Sequence, residues 1–227
     1  GRLYQVEYAF KAAKTTGLTS IGVRGEGCAC VITQKKIQDK LIDASYLTNI
    51  YNITDKIGAV ITGLHADGRA LVIKVRQFAA EFKYDHGFDI PVHYLAKKVA
   101  DDNQVFTQAA YKRALGCSII LVGVDDERGA QCFKIDAAGH YYSYKACASG
   151  VKEQESVNNL EKKYKGGEPT SLEDTVERAI TTLQTVLTSD FKATEVEIGI
   201  VAGDGRFRQL DMAEIEEYLT RIAERDQ

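Results

Sequence analysis

The chain has 227 residues, 44% of them apolar, and a formal charge of -3 from 29 basic and 32 acidic side chains. That length suits one fairly large domain, and the apolar share is ordinary for a globular protein. With no long basic stripe, neither nucleic acid nor an anionic membrane surface is proposed as a partner, and no apolar run approaches the roughly 20 residues that span a bilayer.

The chain opens GRLYQVEYAFKAAKTTGLTS. Leu3, Val6, Phe10 and Ala13 recur at helical spacing with Tyr4, Tyr8 and Ala12 beside them. This predicts an amphipathic helix over 3–13 whose apolar face must cover something. Thr15-Thr16-Gly17 supplies the stop, glycine being suited to the left-handed residue after a helix. No capping residue stands at its start, so the helix is expected to begin upstream. Residues 18–33, LTSIGVRGEGCACVIT, predict a β-hairpin about Arg24–Gly27. Tyr51–Thr54 and Ile57–Thr62 predict two more strands, split by Asp55-Lys56. Apolar residues then recur helically over 65–84 and from Pro91 to about Ala110.

The second half repeats this order. Residues 117–125 and 130–136 read as strands, and 140–148 as one further run closed by Gly150. Helices are predicted over 151–164 and 171–188, the latter opened by Ser171 with Asp174 three residues on. A last strand over 196–202 turns at Gly203–Gly205, and 212–225 reads as a charged helix with Ile215, Tyr218, Leu219 and Ile222 on one side. Strand runs alternating with helix pairs predict an α+β fold, a four-layer α/β/β/α sandwich of two largely antiparallel sheets. It is one domain over 1–227, with the opening helix and its stop at 1–17 and the sandwich at 18–227.

Chemistry-bearing motifs are few. The cysteines are five, an odd number, mostly inside strand-like text, which fits a reducing compartment. Cys28 and Cys30 share one strand face, yet no second Cys/His pair accompanies them and the four histidines are scattered. Buried small hydrophobes are expected, with no metal and no cofactor. The glycine-rich RGEGCA and GDGRF open no helix, so they read as hairpin turns rather than phosphate loops. His65 and Asp67 stand at a strand-to-helix junction, where helix-start polarity explains them better than an acid/base pair. Glu153/Glu155 and Glu214/Glu216/Glu217 read as solvated helix faces.

GRLYQVEYAFKAA, with TQKK at 33–36, TGLHADGR at 62–69, LGCSIILVG at 115–123 and GVKEQES at 150–156, resembles the alpha-type subunits of the 20S proteasome along essentially the whole chain. VITQKK and the LEKK at 160–163 make it most similar to the iota-type, or alpha type six, group. The resemblance implies an N-terminal-nucleophile hydrolase fold and a place in a seven-membered alpha ring with six other alpha subunits, beside beta-ring subunits. Regulators would dock on the outer face, and a gate tail would precede the opening helix. Substrate entry would be controlled for ubiquitin-dependent and ubiquitin-independent degradation, in cytoplasm and nucleus.

Beta subunits of this fold cleave peptides with an N-terminal threonine. Laying LTSIGV on the beta-type TTTVGI puts Leu18 at the nucleophile, Gln34 at the acid and Asn49 at the lysine, so all three catalytic roles are vacant and the chain is expected not to be an enzyme. Thr19 and Ser20 read as strand-edge hydroxyls that satisfy local backbone groups. The resemblance further assigns Tyr8 to the gate and ring contact. It assigns Gly1, Gly17, Asn49 and Leu64 to a pocket for a regulator's C-terminal tail, in which the family's lysine is here Asn49. A pocket without that charge is expected to bind a carboxylate more weakly unless a neighbouring cation compensates, and Lys56 is the substitute considered. The rival readings are a self-standing peptidase of the same fold and a generic interaction module.

Overall fold

In the computed structural model, residues 3–37 and 39–225 are described. The predicted hairpin is β1 (Thr19–Gly25) with β2 (Cys28–Gln34), closed at Glu26-Gly27 with Gly27 at φ +64. After β3 (Ile50–Asn52) and β4 (Ile57–Gly63) come helices α2 (His65–His86) and α3 (Val92–Gln108), the opening helix being α1 (Tyr4–Lys14). Strands β5 (Cys117–Asp125), β6 (Gly129–Ile135), β7 (Tyr141–Ser143) and β8 (Ala146–Gly150) precede α4 (Glu153–Tyr164) and α5 (Leu172–Leu187). The chain ends with β9 (Val196–Val201), β10 (Phe207–Gln209) and α6 (Met212–Arg225). None of these helices is long and apolar enough to cross a membrane.

Two five-stranded sheets result, ordered β10-β9-β2-β1-β8 and β3-β4-β5-β6-β7, and every strand pair is antiparallel. Both faces of each sheet are covered, which is why the central strands read as nearly continuous apolar runs. Period-2 alternation sorts their side chains. On β5, Ile119 and Leu121 face the layer shared with α2 and α3, whereas Ile120 and Val122 face the other sheet. On β2, Cys30 and Ile32 pack toward α5 and α6, and Ala29 and Val31 point between the sheets. The four layers are thus α2 and α3, one sheet, the other sheet, then α4, α5 and α6. A fully buried Ile or Leu in such a layer contributes about 1.5–3 kcal/mol.

The space between the sheets is narrow, and glycines set it. A Cβ on Gly58 would fall 2.0 Å from the Phe207 ring, and one on Gly199 would fall 2.4 Å from it. Phe207, 4% exposed, therefore wedges between the sheets where both backbones lack side chains.

The single run read over 140–148 divides in two. Tyr144 donates its N–H to Cys132 O at 2.8 Å in one sheet, and Lys145 O accepts from Arg24 N–H at 2.8 Å in the other. The chain changes sheets between adjacent residues, a step that alternation cannot show because the pleat continues through it.

Helix ends follow their local chemistry. Ser171 Oγ accepts from Asp174 N–H at 3.1 Å and so caps α5. Asp211 and Glu214 form a reciprocal pair at the start of α6, each accepting the other's backbone N–H at 2.9 Å. Leu3 precedes α1 without a side-chain cap, and Gly17 at φ +68 ends the turn beyond it.

Candidate functional site

Helix α1 lies across the ends of β4 and β5, held by small residues. Ala9 is buried with Ala114 and Ala137, and a Cβ on Gly116 would come within 3.0 Å of Ala12. The apolar face read from the sequence therefore divides: its alanine side seats on the domain, while Leu3 (69% exposed), Tyr4 (59%), Tyr8 (58%) and Phe10 (37%) face outward. The Tyr4 and Tyr8 rings lie 6.5 Å apart, and among the described residues the Tyr8 hydroxyl has no hydrogen-bond partner.

Beside the end of α1, the three positions compared with beta-type catalytic residues come close together. Leu18 joins Gly17 to β1, and its carbonyl accepts from Val151 N–H at 3.2 Å. Gln34 Oε1 accepts from Thr19 N–H at 3.0 Å, so this side chain ties the ends of the hairpin. Asn49 donates its backbone N–H to Glu197 at 2.9 Å, and its carbonyl accepts from Ile61 N–H at 2.9 Å. A leucine, a glutamine and an asparagine offer no nucleophilic hydroxyl, carboxylate or ammonium, and Leu18 continues into residue 17 rather than ending in an amine.

The hydroxyls beside them serve structure. Thr62 Oγ1 donates to Ser20 Oγ at 2.7 Å, and Ser20 lies 2.8 Å from Thr33 Oγ1, so this buried chain of hydroxyls crosses from one sheet to the other. Thr19 Oγ1 accepts from Lys152 N–H at 3.3 Å. Thr19 and Ser20 are thus not strand-edge hydroxyls serving local backbone groups: both are buried on an interior strand and meet partners far along the chain, because the two sheets close over β1.

Leu18 and Asn49 line one open cavity of about 230 Å³, together with Thr16, Lys36, Gly63 and His65 and with Ile42 and Leu47 as apolar wall. Lys36 Nζ donates to Gly17 O at 3.1 Å. Gly17 lies between the lining residues Thr16 and Leu18, and its left-handed φ disfavours an ordinary side chain beside the ammonium. Leu64 turns under α1 instead, packed at Gly116 with its N–H on Gly116 O at 2.9 Å, and its neighbours Gly63 and His65 reach the cavity. Gly1 lies outside the described residues.

Lys56 does not line this cavity. It sits in the β3–β4 turn, beyond the end of β3 away from Asn49, with Nζ 3.6 Å from Asp89. The nearby cation is Lys36, which the sequence reading passed over. The signal was the Lys35-Lys36 pair just after β2: consecutive residues of an extended segment point oppositely. Lys35 turns to the buried Glu197 at 3.7 Å, and Lys36 to the cavity.

Asp67 is not poised as a base. Arg113 holds it in two hydrogen bonds of 2.6 and 2.7 Å and Gly116 N–H donates at 2.8 Å, contacts that keep its carboxyl below the usual range despite burial. It anchors the loop before β5 to the start of α2, while His65 lies at the cavity. Cys28 contacts Thr175 at 3.3 Å and Cys30 is wholly buried in the same helix-covered layer, with burial raising both thiol pKa values. Of the acidic clusters, Glu153 pairs with Lys134, Glu155 with Lys152, Glu214 with Arg208 and Glu217 with Arg221.

A family model described as "Proteasome subunit" matches residues 14–201. The chain is 52% identical, over all 227 residues and 93% of the relative, to "Probable proteasome subunit alpha type-1" of Schizosaccharomyces pombe. It is 38% identical over its full length to "Proteasome subunit alpha type-6" of Caenorhabditis elegans, covering 92% of that protein. "Proteasome subunit alpha" of Methanopyrus kandleri is 35% identical over 98% of this chain and 88% of its own.

Proposed function

Because this chain belongs to the proteasome subunit family and is similar along its whole length to alpha-type members, we propose that it is a non-catalytic, structural and gating subunit of the outer alpha ring of the 20S particle. Leu18, Gln34 and Asn49 occupy the places where catalytic relatives carry nucleophile, acid and lysine, and the subunit contributes ring surface and a share of the substrate entry. The observation that carries this is the two-sided α1. An apolar helix face with Leu3, Tyr4 and Tyr8 more than half exposed suits contact with an adjacent subunit. Deleting residues 1–13 abolishes incorporation into the ring, read by native gel, whereas undiminished incorporation refutes this role.

On the same reading Tyr8 braces the open arrangement of gate tails through its hydroxyl, and the cavity at Gly17 and Asn49 receives the C-terminal tail of an ATPase-type regulator. The rival, a self-standing peptidase, needs a nucleophile that Leu18 does not provide, and a peptidase assay on the isolated chain separates the two.

A further inference from the structure

The cavity beside Leu18 is chemically one-sided. Its polar lining consists of Lys36, Thr16, Asn49 and His65, with no carboxylate among its lining residues. Thr16 Oγ1 is buried with no hydrogen-bond partner. Among the described residues, the Asn49 carboxamide also has none, because the contacts of Asn49 run through its backbone. Among the described residues, Lys36 meets a neutral carbonyl at 3.1 Å and no acidic group, unlike Lys35 on Glu197 and Lys56 on Asp89. An ammonium, a hydroxyl and a carboxamide with unspent donors, set against Leu18, Ile42 and Leu47, suit an anion carried on an apolar stem. At about 230 Å³ the space falls below the roughly 300–1,000 Å³ of small-molecule sites and admits little more than one chain end.

We infer that Lys36 supplies the cation of this cavity and, with Thr16 Oγ1 and the Asn49 carboxamide, receives the terminal carboxylate of a partner protein's tail. The inference rests on the tail-docking reading above and alters its consequence: the charge absent at Asn49 is restored from the end of β2. Gly17 is part of the device, since a side chain there would be strained at φ +68 and its Cβ would lie 4.0 Å from Lys36 Nζ.

The test uses the assembled particle and a benzophenone-bearing peptide copying the C-terminus of an ATPase-type regulator, as free acid and as C-terminal amide. Cross-linking to this chain is quantified by mass spectrometry. The acid labels the chain roughly tenfold better than the amide, as a charge-assisted contact requires. Lys36→Met reduces that preference to about twofold or less, Lys36→Arg keeps it, and Asn49→Lys added to Lys36→Met restores it. A preference that survives Lys36→Met overturns the assignment to Lys36 and leaves tail docking standing. A preference lost in Lys36→Met and restored by neither Lys36→Arg nor Asn49→Lys overturns it too, because the loss is then not one of charge. No labelling of the unaltered chain by either peptide overturns tail docking and this inference together.

Discussion

Substituting Gly58 by alanine tests whether the two sheets are spaced by a single ring. The added Cβ would lie 2.0–2.2 Å from three atoms of Phe207, well inside contact distance. The ring has little room to retreat, because on the other sheet it lies so close to the Gly199 backbone that a Cβ there would fall 2.4 Å from it. Nor can its backbone shift freely: Phe207 N–H donates to Asp55 O at 2.8 Å, and Asn52 Nδ2 donates to Phe207 O at 3.2 Å. Gly58→Ala therefore costs about 1–3 kcal/mol as overpacking. Phe207→Ala costs about 3–5 kcal/mol as a cavity left by a buried aromatic. In the double variant the new methyl occupies space the ring has left, so the strain disappears and the pair costs no more than Phe207→Ala alone. The coupling is then about 1–3 kcal/mol in favour of the double variant, in the range of side chains that touch. Urea unfolding of the purified chain and its three variants measures it. Costs that add to within about 0.5 kcal/mol would show that the ring and Gly58 do not share this space, and would refute the reasoning.

Tyr8→Phe removes only the hydroxyl from an outward ring, so assembly on a native gel is unchanged while regulator-stimulated peptide hydrolysis falls. Normal stimulated hydrolysis excludes the bracing role. Lys163 is held between α4 and α5, where its Nζ meets Thr181 and Thr182 hydroxyls at 2.5 and 3.1 Å. Burial, helped by Arg178, lowers its pKa to about 8. Between that value and the ordinary 10.5 the unfolded chain binds more protons than the folded one, so stability rises with pH there, and below about 8 the full cost of the buried charge stands. Lys163→Met is therefore more stable than the parent at pH 7, by about 1 kcal/mol after screening, and the advantage fades as pH climbs past 8. A difference independent of pH across thermal melts refutes this.

Local chemistry made much of the fold legible. The Ser171 cap, the turn at Gly27 and the stop at Gly17 each depend on a few neighbouring residues, and each lies where its residues say. The layers followed from strand runs alternating with helix pairs. What sequence could not show depended on partners far along the chain. Tyr144 and Lys145 are equal members of an alternating run, and only their bonds to Cys132 and Arg24 reveal that they serve different sheets. Similarly, Leu3, Tyr4 and Val6 look alike as helical apolar residues. The small side chains of Ala9 and Ala12 decide which side can approach the domain. At the cavity, Leu18 and Asn49 are positions singled out from the sequence, whereas the cation among its lining residues, Lys36, was given no role there. Its relevance appears only once Glu197, on a strand more than 150 residues later, has engaged Lys35.

The strand orders carry a consequence for how the chain comes to be made. The sheet β3-β4-β5-β6-β7 runs in sequence order from Ile50 to Ser143, each strand beside its predecessor, with α2 and α3 inserted between β4 and β5, so each strand finds its partner already made as the chain lengthens. The other sheet is assembled from both ends. β1 and β2 emerge first, yet β8 arrives only at Ala146 and β9 at Val196. Until then the long edge of β2, apolar on both faces, has no neighbour to complete its ladder from Ala29 to Gln34. The nascent chain thus holds one finished sheet beside an unfinished one, and the β2 edge stays open from the end of that strand at Gln34 until Val196 emerges.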